Sequence, residues 1–292
     1  MSRAIGDGAH MPGLTQHERM QHVLHLLDTR DSVQVSELAE SFAVSEVTVR
    51  SDLTSLASQG LVARVRGGVR ALQQGQSEVG FDLRLRLEVD RKRAIARAAA
   101  AMVNEGEAVA LDASTTAYYL ALELRSKREL VVVTNGLLVA TALADAPGIT
   151  VLVTGGMLRL SAMSVVGDFG ADVLRTTRIN KGFLGARGLS LSRGLMDLNP
   201  DEVRIKQEMA DACEQVYGIL DGTKWHRSAL LAFVSVEELA GIITDSSAPA
   251  DEVAAWRAAG VDVISVDTGP PEPPPLRPRD LRRAVRNDET AA

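Results

Sequence analysis

One cysteine, Cys213, stands among 292 residues, which excludes an intramolecular disulfide and any metal site built from several cysteines. Aromatic residues make up only 3% of the chain, so a core must be assembled from Ala, Val and Leu, a supply that suits α/β or all-α architecture. No run approaches the ~20 consecutive apolar residues that a membrane span needs. The opening stretch MSRAIGDGAHMPGL has no apolar segment of the signal-peptide kind. The expectation is a cytoplasmic protein with no membrane partner. Positive charge is also scarce, since the net charge is −6. What the chain does have is 46% hydrophobic residues, ample for a packed core, and a length beyond the roughly 100–200 residues of one domain. Two domains are therefore expected.

From Thr15 the text is helical. Thr15 with Glu18 forms a capping box, and Met20, Val23, Leu24 and Leu27 follow at helical spacing. Ser36 is the expected cap of a short second helix carrying Leu38, Ala39 and Phe42, after which Ala43 and Val44 turn the chain. Ser45 then caps a third helix whose Val49, Leu53 and Leu56 face inward and which Gly60 ends. LVARVRGGVRAL reads as two strands around Gly67 and Gly68. Three helices and a hairpin make a winged helix-turn-helix.

In that arrangement the N-terminal end of the third helix meets base edges in the major groove. The candidate DNA-binding residues are Ser45, Val47, Thr48, Arg50 and Ser51, with Arg64, Arg66 and Arg70 on the hairpin. Thr48 and Ser51 can bond bases or phosphates, Val47 can meet a thymine methyl, and Arg50 can hold a phosphate or a guanine. The hairpin arginines can reach the backbone or the minor groove. Against this stands the charge count, six arginines to seven acidic residues over 15–70, which favours a protein-interaction module. Local clustering outranks net charge in creating attraction, so duplex DNA is the expected partner.

Residues 1–14 are expected to be a disordered arm, 15–72 the DNA-binding domain and 73–90 a linker. From about Arg91 a helix opens a second domain, 91–268, and the proline-rich, then charged, stretch at 269–292 is expected to be a disordered tail. Within the second domain AVALD, LVVVTN, ITVLVTGG, KGFLGA, VYGILD, LAGIITD and VDVISV alternate with helical text. That rhythm predicts an α/β fold with a largely parallel sheet covered on both faces. Ligands bind such sheets beyond the carboxyl ends of the strands.

The strand-end loops carry the chemistry. Ser114, Thr115 and Thr116 in LDASTT open a helix, where hydroxyls and amides favour an anion or simply cap the helix. Thr134-Asn135-Gly136 and Thr154-Gly155-Gly156, with Arg159 nearby, are similar loops; together they predict a small anionic ligand. Asn199-Pro200-Asp201-Glu202 is a helix start, and Lys206, a turn further on, faces either the crevice or solvent. Asp221 and Lys224 suit a sugar hydroxyl and a phosphate, or pair as surface ions. His17, His22 and His25 lack a carboxylate or cysteine to complete a metal site. Cys213, expected in mid-helix, reads as a core or boundary residue. No metal or cofactor is expected.

VSELAESFAVSEVTVRSDLTSLASQGLVARVRGGV resembles the helix-turn-helix signature of the DeoR family of bacterial transcriptional regulators. The resemblance runs from about residue 15 to residue 268. It departs at Ser51, usually arginine, and at Arg66, usually histidine. LDASTT, VVVTN, VTGGMLR, GFLGARGL, NPDEVRIKQ and LDGTKW resemble the family's effector-domain motifs, with Ser114 in place of a glycine and Ala117 in place of a threonine. The resemblance implies a sensor domain similar to ribose-5-phosphate isomerase that binds a phosphorylated sugar. Its implied effector residues are Asp112, Ser114, Thr115, Thr116, Asn135, Gly155, Gly156, Arg159, Lys206, Asp221 and Lys224.

The expected function is a repressor of a carbohydrate-metabolism operon, bound to its operator as a homodimer or homotetramer and controlled by a phosphorylated sugar. The competing reading is a sugar-phosphate isomerase-like enzyme with an added DNA-binding head. An isomerase needs a carboxylate base; beyond Asp112 and Asp221 the loops show no further carboxylate with an obvious base role.

Overall fold

The computed structural model describes residues 11–30, 32–58, 62–71 and 81–268. The expected arm before residue 11, Gly60 as a helix stop, residues 72–80 of the domain end and linker, the tail at 269–292 and the side chains of His17 and His25 lie outside the described residues. The chain divides into two compact units between Leu87 and Glu88.

The first unit contains α1 (Gln16–Thr29), β1 (Ser32–Gln34), α2 (Val35–Phe42), α3 (Glu46–Ser58), β2 (Val62–Val65), β3 (Gly68–Ala71) and α4 (Phe81–Arg86). Both halves of the Thr15–Glu18 capping box form at the start of α1. The helices bury Val23, Leu24, Leu27, Leu38, Phe42, Val49, Leu53 and Leu56 in one core, each such side chain contributing about 1.5–3 kcal/mol over exposure. Ala43 adopts the left-handed conformation (φ 53°) that ends α2. Gly67, at φ +83°, makes the β2–β3 turn.

Three expectations are corrected here. Ser36 does not cap α2, which starts a residue earlier after Gln34 and has no side-chain cap. The reason is β1, a strand absent from the sequence reading, which pairs antiparallel with β3 in the order β1-β3-β2 and leads straight into the helix. Residues 11–14 are not free: the Met11 amide donates to Ser41 O at 2.6 Å, and Met11 and Leu14 pack on the core. Residues 81–86 and 89–90, expected in the linker, are helical instead.

The second unit holds α5 (Val89–Ala101), β4 (Ala108–Leu111), α6 (Thr115–Leu124), β5 (Leu130–Thr134), α7 (Leu137–Leu143), β6 (Ile149–Val153), β7 (Met157–Arg159), β8 (Ser164–Val166), α8 (Ala171–Thr176) and β9 (Ile179–Leu184). β10 (Gly188–Ser190), β11 (Gly194–Asp197), α9 (Pro200–Asp211), β12 (Cys213–Ile219), β13 (Leu231–Val234), β14 (Leu239–Asp245), α10 (Ala250–Ala258) and β15 (Asp262–Val266) complete it. The seven apolar runs become seven strands in the order β15-β14-β12-β9-β4-β5-β6. Every pairing in that sheet is parallel. Cys213 begins β12 rather than sitting in a helix. Its thiol donates to Met209 O at 2.9 Å, and burial pushes its pKa up to about 12.

The chain leaves β4 toward β5 and β6, then returns to β9 on the other side of β4 and continues outward. Right-handed crossovers therefore place α6 and α7 on one face and α9 and α10 on the other. The strand order reverses between β4 and β9, the position where open α/β sheets form a crevice. Two small sheets, β7-β8 and β10-β11-β13, were not legible as strands in the sequence and stand beside this switch point through α9, which touches β8, β9, β11 and β13.

Candidate functional site

On the first unit, the Thr48 amide donates to Ser45 Oγ at 3.2 Å, so Ser45 caps α3 as expected. Val47 is 73% exposed, an apolar side chain left in solvent at the start of the helix. Arg50 and Ser51 are exposed, and the Thr48 hydroxyl lies 2.9 Å from Ser45 Oγ. Arg64 Nη1 donates to Thr54 Oγ1 at 2.7 Å, tying β2 to α3, while Arg66 and Arg70 are exposed on the hairpin. All eight DNA-binding candidates thus lie on α3, its cap and the β2–β3 hairpin.

The acids are arranged differently from their count. Asp52 is buried, and Arg19 holds it with two bonds, Nε to Oδ2 at 2.7 Å and Nη2 to Oδ1 at 3.2 Å. Arg19 also donates to Leu14 O at 2.8 Å. Glu46 pairs with Arg50 at 2.7 Å, and Glu37 with Arg30. The Arg19–Asp52 pair leaves the balance over 15–70 unchanged, but it takes Asp52 off the exposed face of α3, where Glu46 and Arg50 offset one another.

At the switch point of the second unit, Lys206 is buried and donates to Gly185 O at 2.8 Å and Asp197 Oδ2 at 2.7 Å, with Asp112 Oδ2 at 3.1 Å. Two hydrogen bonds and one further ion pair thus hold the ammonium. Asp112 also accepts from the Ser114 amide at 3.1 Å and the Gly185 amide at 3.0 Å. Burial opposes the charges, but Lys206 and Arg187 outweigh it and hold Asp197 at about 2. Asp197 and Asp112 likewise raise the Lys206 pKa against the effect of burial. Lys206 thus faces neither solvent nor an open crevice; it clamps the ends of β4, β9 and β11.

One turn earlier on α9, Glu202 is buried. Its Oε1 accepts from Arg159 Nη1 at 2.9 Å and from Ser164 Oγ, and Asn135 Nδ2 lies 3.5 Å from Oε2. Here is the additional strand-end carboxylate that the sequence reading did not find. Asp197 and Ser164 were also missed. The signal for Glu202 was spacing: Glu202 and Lys206 stand four apart on the stripe that also buries Ile205 and Met209.

Ser114 caps α6, its Oγ accepting from the Ala117 amide at 3.1 Å. Thr115 and Thr116 are buried in the first turn, whose leading amides have no intrahelical acceptor. Gly185 is matched to Ser114, since a Cβ there would lie 2.4 Å from Ser114 Cβ. Gly155 and Gly156 lie exposed between β6 and β7; at Gly156 (φ +140°) a Cβ would come 2.2 Å from Val166 O.

Asp221 and Lys224 form a separate group beyond β12. The Thr223 amide donates to Asp221 Oδ1 at 3.0 Å. Burial opposes ionisation of Asp221, yet Lys224, Lys92 and Thr223 hold its carboxyl below the usual range. Nearby Arg91 bridges Glu88 (2.9 Å) and Asp245 (3.5 Å). The structure therefore brings Asp112, Ser114 and Lys206 together, and Asn135 and Arg159 together, and places Asp221 and Lys224 in a further group after β12, two strands along the sheet from β4.

A winged helix-turn-helix and a parallel α/β domain with polar strand ends define a two-domain regulator. Residues 19–75 match the DeoR-like helix-turn-helix domain and residues 87–246 the DeoR C terminal sensor domain. The chain is 34% identical to the putative aga operon transcriptional repressor of Escherichia coli O157:H7, over 85% of this chain and 93% of that one. It is 33% identical to the transcriptional regulator GolR of Listeria innocua, over 78% and 90%. It is 29% identical to the glycerol-3-phosphate regulon repressor of Escherichia coli K12, over 81% and 93%. A likeness to ribose 5-phosphate isomerase A of Neisseria gonorrhoeae, at 17% identity over 46% of this chain and 52% of that one, has a TM-score of 0.34, too low to carry an argument. The protein belongs to the DeoR family of DNA-binding transcriptional regulators. Among the described residues no helix is long and apolar enough to cross a membrane.

Proposed function

We propose that this protein is a cytoplasmic repressor of a carbohydrate-metabolism operon, acting as a homodimer or homotetramer and released from its operator by a phosphorylated sugar. The observation that carries the effector half is the clamp at the switch point. A buried lysine bonded to Gly185 O and Asp197 and paired with Asp112 holds the β4 and β9 loops, which fixes the first turn of α6 where its leading amides can receive an anion. Phosphate is assigned to the Ser114–Thr116 turn, with Arg159 and Lys224 as further cations; Asn135 and Asp221 contact the sugar, and the glycine pair Gly155–Gly156 allows close approach. Asp112 and Lys206 act by holding these loops in place.

For the DNA half, Val47, Thr48, Arg50 and Ser51 read the major groove, Ser45 sets the helix start, and Arg64, Arg66 and Arg70 grip phosphates. Two relatives carry operon or regulon repression in their names, which supports the same role here. No catalysis is assigned: of the two carboxylates an isomerase reading would use, Asp112 accepts from the Ser114 and Gly185 amides and Asp221 from the Thr223 amide, and both are buried.

Effector binding between the strand-end loops favours a sensor state in which the heads no longer match the half-site spacing. A typical coupling of ~1–3 kcal/mol changes operator affinity by roughly 5- to 150-fold. Selection from a random duplex library supplies the operator, and mobility shifts with a sugar-phosphate panel test the release. Operator binding that no phosphorylated sugar alters would refute the effector half; turnover of a panel sugar phosphate would restore the enzyme reading.

A further inference from the structure

At the carboxyl ends of β5 and β6, Asn135 Oδ1 and Thr154 Oγ1 are buried with no hydrogen-bond partner. Asn135 is 0% and Thr154 2% exposed. Buried polar atoms are nearly always satisfied, so an orphan pair asks for an occupant. The neighbours settle the amide orientation: Nδ2 turns toward Val165 O at 3.4 Å and Glu202 Oε2 at 3.5 Å, both acceptors, which leaves the oxygen as the free end.

The two atoms belong to neighbouring strand ends. Thr134 pairs with Val153, and the Thr154 amide continues the ladder to Thr134 O at 3.0 Å. Asn135 and Thr154 are the next residues on both strands, so their side chains leave the sheet on the same side.

An amide oxygen only accepts, so the missing partner must donate. A phosphate is the wrong group, because at neutral pH its oxygens are anionic acceptors and the Glu202 carboxylate lies beside Asn135. A hydroxyl satisfies both orphans, donating to Asn135 Oδ1 and bonding the Thr154 hydroxyl with its own oxygen. The strand spacing of about 4.8 Å puts the α6 N-terminus roughly 5–10 Å from this pair, a span that a phosphorylated sugar bridges.

We propose that Asn135 and Thr154 form the hydroxyl-reading subsite of the effector crevice, with the ligand's phosphate over the first turn of α6. The inference rests on the sugar-phosphate reading above. It adds the direction in which the ligand lies and a specificity residue, Thr154, that the family-matched effector residues did not include.

The test is calorimetric titration of the full chain, unaltered and as Thr154→Val and Thr154→Ser, with ribose 5-phosphate, fructose 6-phosphate, glycerol 3-phosphate and inorganic phosphate. Valine fills the same volume without the hydroxyl, so its ligand-free melting temperature should hold or rise. Its affinity for a bound sugar phosphate should fall about tenfold, serine should recover most of that loss, and inorganic phosphate should bind all three alike. Unchanged sugar-phosphate affinity in Thr154→Val would show that the hydroxyl does not meet the ligand, which overturns the subsite. An equal loss for inorganic phosphate would overturn the orientation. If none of the sugar phosphates binds the unaltered chain, the effector reading fails and the subsite fails with it.

Discussion

Glu202 and Lys206 stand one turn apart on α9, both buried, and each holds a different set of strand ends. Glu202 engages Asn135 after β5, Arg159 in β7 and Ser164 in β8. Lys206 engages Asp112 after β4, Gly185 after β9 and Asp197 in β11. One helix face therefore sets the geometry of the switch point through two opposite charges.

Replacing Lys206 with Met should destabilise the second unit by about 3–5 kcal/mol, since Asp112 and Asp197 are left buried without their cation. Adding Asp112→Asn and Asp197→Asn should recover part of the loss. Urea unfolding followed by tryptophan fluorescence measures both, because Trp225 and Trp256 are buried in that unit.

The same clamp predicts an acid dependence. Asp197 is held at about 2 against an ordinary 3.8, so its contribution is present above about pH 4 and is lost as pH falls toward 2. Its size is about 2 kcal/mol. Asp197→Asn should flatten the fall in stability over that window; an unchanged acid slope would show that the pair contributes nothing.

Arg50→Ala should abolish operator binding while changing stability by less than about 0.5 kcal/mol, because the Arg50–Glu46 pair is exposed. Glu46→Gln should tighten operator binding several-fold by freeing Arg50 and removing an anion from the groove-facing turn. Anisotropy titrations at fixed salt report both.

Asp52→Ala should cost about 3–5 kcal/mol in the first unit by leaving Arg19 buried and unpaired. Effector-induced stabilisation of the sensor domain should persist in this variant, as followed by tryptophan fluorescence. A loss confined to DNA affinity, with stability intact, would contradict the structural role assigned here.

Gly185→Ala should weaken the β4–β9 contact, since the new methyl meets Ser114 Cβ at 2.4 Å. Ser114→Gly should suppress the defect, and a double-mutant cycle should give a coupling of roughly 0.5–3 kcal/mol. Additive effects would mean that the two positions do not share the constraint.

Much of this architecture was legible in the chain. The capping box, the inward stripe of α3, the Gly67 turn and all seven core strands follow from local periodicity and turn chemistry. β1, β7, β8, β10, β11 and β13 did not, because three- or four-residue strands carry too few side chains for alternation to show and owe their form to partners elsewhere. The short helix at 81–86, part of the first unit, reads as linker in the sequence because it follows polar text.

Sequence alone determined the order of the helices and core strands and the capped helix-turn-helix with its wing, since hydrophobic period, caps and motif order are local properties. Only the tertiary structure decided what each charge does. In VSEVTVRSDL, Glu46 and Asp52 count equally as acids, yet one pairs with Arg50 in solvent and the other is buried against Arg19. Lys206 likewise proved to be an internal clamp rather than an open cation. The reason is physical: a charge's role depends on its solvation and its partners, and the partners that decide these two cases, Arg19 for Asp52 and Asp112 for Lys206, lie tens of residues away until the chain folds.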